Sequence, residues 1–165
     1  MHTIDLTFRR AGDWTLEELM DGIGVYCLWS GNAKERPSYL GEGDVLKRIV
    51  TDHMRDSNKV GRTVFDGFIA IRGYKPDAQA KEDCQIAEAL LLFVAERTDR
   101  APTHNKNLGL QTKVEEMMRK HPTLRLTVRG CDPLRPPGCQ PIDKKGFTVH
   151  QRGNELCFDC DWRKR

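Results

Sequence analysis

Nowhere does this chain hold the roughly 18 to 20 consecutive apolar residues that a bilayer span requires, and apolar residues make up only 38% of it. A membrane protein is not expected, and the chain reads as soluble. Residues 1 to 10 have neither the basic start nor the long apolar stretch of a secretory signal. Export is therefore not expected, and a cytoplasmic location is. No internal repeat or low-complexity tract is present. Six cysteines in a reducing compartment stay as thiols, which favours metal binding or plain burial over disulfides. Tyrosine is scarce, with three in 165 residues, yet two of the three carry the strongest signal.

A chain of 165 residues can bury one ordinary core and carry a small appendage. Its net charge of +3 conceals an asymmetry. From residue 111 onward twelve Lys and Arg face seven Asp and Glu, whereas the first 110 residues hold fifteen against seventeen. A basic C-terminal end suits contact with nucleic-acid phosphates, where affinity comes largely from counterion release. It equally suits a solvated surface.

Residues 3 to 9 alternate polar and apolar, which predicts a strand. A short helix follows, capped by Asp13 or Thr15, with Glu17 and Glu18 in the first turn. Val25 to Trp29 and Ser38 to Leu40 read as strands about a loop. Asp44 is placed to cap a helix from Val45 to about Met54. A third strand is expected at Thr63 to Arg72, a long helix at Ala80 to Thr98, a further helix at Thr112 to Lys120 and a strand at Leu124 to Val128. Four of the eight prolines lie from Pro133 to Pro141, a loop or linker. The expected fold is α+β: a three-stranded antiparallel sheet flanked by helices over residues 1–129, then a basic, Pro- and Cys-rich element over 130–165.

Gly24-Val25-Tyr26 and Tyr39-Leu40-Gly41, twelve residues apart, read as two strands of a hairpin that each deliver one phenol. Arg48 follows on the next helix, and two phenols with a guanidinium suit a phosphate. Glu88 is the only polar side chain between Ile86 and Ala95. Burying an unpaired carboxylate costs several kcal/mol, so Glu88 needs a cation, a metal or strong donors, or a place at a cleft mouth. The alternative is an exposed helix edge or a structural arginine pair. His53 would stand roughly 140° from Arg48 on an α-helix; it is a phosphate contact, an auxiliary acid or base, or a surface histidine.

The order and spacing of these residues, from about 22 to 107, resemble the GIY-YIG nuclease family. That resemblance implies a one-metal site that cleaves phosphodiester bonds. Glu88 would hold Mg²⁺ or Mn²⁺, with Glu96 as runner-up, and Arg48 would bind the scissile phosphate. Tyr26 would be the general base and Tyr39 would orient water or phosphate. Pro102-Thr103-His104-Asn105 matches the family's closing Pro-x-x-Asn, and Asn107 is a second choice. A phenol titrates near 10, so the base role requires positive charge nearby, which Arg48 and the metal would supply. The chain departs from the pattern in three ways. Val25 and Leu40 stand where isoleucine is usual, Tyr39 to Arg48 is one residue short, and Asp52 holds the place of a frequent histidine, with His53 one further on. The implied activity is metal-dependent endonucleolytic hydrolysis of DNA, most readily double-stranded, by a monomer or homodimer. The alternative is a nucleic-acid-binding module of the same fold without the chemistry.

In the tail, Cys157 and Cys160 form a Cys-x-x-Cys knuckle, and Cys131 and Cys139 lie upstream. Four thiolates would satisfy a structural Zn²⁺. The seven residues between Cys131 and Cys139 exceed the usual spacing of about two to four, and His150 could replace one ligand. Otherwise these are unligated thiols beside the basic residues Lys144, Lys145, Arg152, Arg163, Lys164 and Arg165.

Overall fold

The computed structural model of the chain describes residues 1–30, 37–53, 65–98, 101, 102, 105, 109–130, 147–152 and 155–159, with side chains except at 30, 51–53, 65, 66, 147, 152 and 155–159. Among them no helix is long and apolar enough to cross a membrane. The described residues form a mixed α+β fold with two four-stranded sheets.

The first sheet is built on β3 (Gly22–Ser30), whose residues are apolar without alternation, as expected of a strand covered on both faces. β3 pairs antiparallel with β4 (Tyr39–Asp44) on one side and β5 (Phe65–Tyr74) on the other. These three strands pair antiparallel as expected, but the sheet is four-stranded rather than three-stranded. The short β2 (Arg9–Arg10) adds to the far side of β5, so the order is β2-β5-β3-β4 and β4 is an edge. Ile23, Val25, Cys27 and Trp29 enter the main core, while Tyr26 and Leu28 point to the opposite face and pack with Val45 and Ile69.

The second sheet has a source that local sequence signals do not reveal. β1 (His2–Thr7) pairs in parallel with β6 (Leu124–Arg129), at the far end of the chain. β7 (Phe147–Arg152) and β8 (Glu155–Asp159) extend that sheet, and Val149 is fully buried in the main core. The segment expected as an appendage therefore contributes two strands to the sheet that begins at the N-terminus.

Local chemistry explains the helix starts. Thr15, of the two expected caps, begins α1 (Leu16–Met20): its hydroxyl accepts from Glu18 N at 3.1 Å, and Glu18 accepts from Thr15 N at 2.8 Å, a complete capping box. Asp77 accepts from Ala80 N at 2.9 Å and starts α3 (Ala78–Arg97) two residues earlier than its apolar pattern alone indicates. α4 (Leu110–Lys120) packs on α3 through Leu110 and Val114. On α3, Asp83 is almost fully buried yet well partnered. It accepts from Arg72 Nε at 2.8 Å and Gln79 Nε2 at 2.9 Å, and pairs with His2 Nε2 at 2.9 Å. This carboxylate ties β1, β5 and α3 together and is structural.

Candidate active site

Both glycines of the tyrosine motifs have a steric reason. Tyr26 lies opposite Gly41, and Tyr39 opposite Leu28, so the phenols are diagonal neighbours on one face of the β3–β4 pair. Their ring centroids are 6.2 Å apart with planes 25° from parallel. A Cβ at Gly41 would come within 2.6 Å of Tyr26 Cζ and Oη and of Tyr39 Cε1. The absent side chain is the space in which the two rings meet. Gly24 is held from two sides, since a Cβ there would lie 2.3 Å from the Ala70 carbonyl oxygen on β5 and 3.1 Å from Val45 Cγ2.

Tyr26 is 1% exposed, whereas Tyr39 is half-buried and meets solvent. Burial raises the Tyr26 phenol well above its ordinary value, and Tyr39, Glu88 and Glu42 add to that; Arg48 acts in the opposite direction. The positive charge expected to make Tyr26 a base is thus present as Arg48 but is outweighed by burial. Tyr26 therefore keeps its proton unless further positive charge is added.

Asp44 caps α2 (Val45–Lys47) by accepting from Lys47 N at 3.3 Å, as expected. The helix then departs from expectation, because Arg48–His53 is a π-helical turn. Its hydrogen bonds close from i to i+5, a wider winding that brings backbone positions 48 and 53 nearer in angle than the roughly 140° of α geometry. Arg48 is exposed. Its side chain lies over Gly43, whose φ of +119° turns the chain out of β4; Arg48 Nε is 3.7 Å from where a Cβ at 43 would be. The His53 side chain lies outside the described residues.

Glu88 sits on α3 with its side chain 18% exposed, so it is not on an open helix edge, and among the described residues no arginine pairs with it. Its partner is Lys113 on α4, with Nζ 3.7 Å from Oε2. Burial pushes the Glu88 carboxyl above the usual carboxylate range; Lys113 and Arg48 oppose that and Glu42 reinforces it. Glu42 is the residue that sequence reasoning missed. Burial pushes its carboxyl up as well, against Arg48, Lys113 and Lys81, and its Oε2 is buried without a hydrogen-bond partner among the described residues. The only sequence signal was an acid directly after Tyr-Leu-Gly in a strand. Full burial of a Leu or Val side chain is worth about 1.5–3 kcal/mol, so Leu40 and Val45, both at 0% exposure, pin the segment that carries Glu42 at each end.

Glu42 and Glu88, both raised by burial and with Glu42 acting on Glu88, offer oxygen atoms of the kind that a hard divalent cation keeping its own waters takes. Among the described residues no group of three or more His, Cys, Asp or Glu is gathered to hold a metal. Glu96 is exposed on the last turn of α3, away from this cluster.

Asn105 works on the edge strand. Its Oδ1 accepts from Leu40 N at 2.9 Å and its Nδ2 donates to Leu40 O at 2.8 Å. The side-chain amide supplies both bonds that a further strand would make, and so closes the open edge of β4 between Tyr39 and Gly41. Asn105→Asp retains the shape but sets an oxygen against the Leu40 carbonyl. It is expected to cost about 2 kcal/mol, a fall in Tm of about 4–8 °C by thermal melt, no smaller than that of Asn105→Ala. An unchanged Tm for both would show that this contact does not hold the edge.

Asn107, Cys131, Cys139 and Cys160 lie outside the described residues. Cys157 is on β8, paired with His150 on β7, with its side chain outside them. Cys27 and Cys84 are buried thiols, and burial pushes that of Cys84 up to about 12.

No protein-family model, curated protein or solved structure matches this chain.

Proposed function

We propose that this protein is a metal-dependent endonuclease of the GIY-YIG type, hydrolysing DNA phosphodiester bonds. The observation that carries the reading is the gathering of Tyr26, Tyr39, Arg48, Glu42 and Glu88 around the edge strand β4, close enough for Arg48 and both glutamates to act on the Tyr26 phenol. A π-helical turn beginning at Arg48 adds support, since such turns are frequent at functional sites.

Glu88 and Glu42 would hold a Mg²⁺ or Mn²⁺ ion, which when bound supplies charge neutralisation at the phosphate and acidifies a coordinated water. Arg48, exposed, takes the non-bridging oxygens of the scissile phosphate through its fork of donors. Tyr39, which reaches solvent, orients the attacking water. Tyr26 holds its proton in the resting site, and would take one from that water only as phenolate, after releasing its own proton to solvent under added positive charge that offsets its burial. The basic C-terminal residues would contribute sequence-independent phosphate contacts.

Incubation of supercoiled plasmid with the purified chain tests this. Nicked and then linear product is expected in Mg²⁺ or Mn²⁺, none in excess EDTA, and recovery when the cation is restored. A chain that binds plasmid but leaves it supercoiled across several divalent cations is a binding module, and the enzyme reading fails.

A further inference from the structure

The two carboxylates that α3 turns inward are partnered in opposite ways. Asp83 is 2% exposed and takes three short contacts, from Arg72, Gln79 and His2 at 2.8–2.9 Å. Nothing about it is exchangeable. Glu88, five residues on, is 18% exposed, and its only ion-pair partner among the described residues is the Lys113 ammonium at 3.7 Å, beyond hydrogen-bond range.

The pair is lopsided in a second respect. Lys113 is 49% exposed at its side chain, so its ammonium already stands largely in water and leaves Glu88 at little cost. Glu88 has no such freedom, because a buried carboxylate without a cation is costly. The place beside Glu88 therefore demands a positive charge but grips the resident one weakly. Buried Leu110 and Val114 fix the helix from which Lys113 reaches. Lys113 also acts on Glu42, so it serves both carboxylates.

We propose that Lys113 is the internal counter-cation of this site: it occupies the place beside Glu88 until a divalent cation enters, then swings onto the phosphate of bound DNA. The inference rests on the nuclease reading above. It makes the empty and loaded states each electrically complete, and gives Lys113 opposite effects in them. In the empty site Lys113 competes with the metal. In the loaded site two positive charges repel, and the ammonium is driven toward the nearest anion, a phosphate oxygen of the substrate.

Lys113→Met keeps the stem and removes the charge. Mn²⁺ binding, followed by the electron paramagnetic resonance of the free ion, is expected to be about fivefold tighter than in the native chain, the scale of a partly exposed ion pair. Plasmid nicking at saturating Mn²⁺ is expected to be about tenfold slower, because a phosphate contact is lost. A merely structural salt bridge would change Tm without tightening Mn²⁺. Unchanged or weaker Mn²⁺ binding by Lys113→Met overturns the proposal, as does unimpaired nicking at saturation. If Mn²⁺ binds Glu88→Gln as well as the native chain, the cation site itself fails and this proposal with it. If Glu88→Gln loses Mn²⁺ but Lys113→Met does not gain it, the cation site stands and the Lys113 exchange alone is wrong.

Discussion

Glu88→Gln is expected to lower plasmid nicking in Mg²⁺ by about 1000-fold, the several kcal/mol that a metal-held transition state supplies, while leaving the protein as stable as before or more so. The opposite signs follow from the surroundings of Glu88. Its carboxyl is held above the ordinary range chiefly by burial, and its cation is exposed and 3.7 Å away. Removing the charge removes a desolvation cost that Lys113 only partly offsets, and glutamine retains the shape. A structural carboxylate behaves differently. Asp83, bonded on both oxygens, is expected to lose stability when neutralised, because Arg72 is left without its partner. Nicking rate and thermal melt on the same preparations separate the cases. A Glu88→Gln variant that melts well below the native chain, or that nicks at the native rate, removes Glu88 from the chemistry.

Gly24→Ala carries a large expected effect on the fold. Its methyl group would lie 2.3 Å from the Ala70 carbonyl oxygen and 3.1 Å from both the Ala70 carbonyl carbon and Val45 Cγ2. Backbone cannot swing aside as a side chain does, so β3 and β5 must part where their register already shifts, between Ile23 and Gly24. The cost is about 3 kcal/mol, or about 6–12 °C in Tm for a chain of this size. Gly12→Ala is the internal control: nothing lies within 4 Å of a Cβ there, and its Tm is expected to stay within about 2 °C. Equal melting of the two variants would mean that the β3–β5 contact is looser than described.

The parts of the fold legible in the chain are those set within a few residues. Thr15 and Asp44 are caps because a short polar side chain reaches an amide three positions ahead. The tyrosine hairpin was readable because glycine and tyrosine recur on two neighbouring strands, and Gly41 is the gap the rings share. The π turn at Arg48 was not readable: a strand-to-helix connection under tertiary restraint decided it, and α periodicity separated two positions that the turn brings together.

Sequence by itself determined most strands and helices of residues 1–129, the two phenols on one hairpin, and a lone carboxylate on the most apolar helix, since each follows from local periodicity and capping; β7, β8 and the π turn do not. Only the tertiary structure decided what that carboxylate meets. Lys113 comes from a helix beyond the following loop and Glu42 from the edge strand, and no local pattern couples three separate elements. It also turned Asn105 from a residue of unstated contact into the clasp on Leu40. Side-chain identity limits what a residue can do; the charge and dielectric set by distant packing decide whether Tyr26, Glu42 and Glu88 hold a proton or a cation.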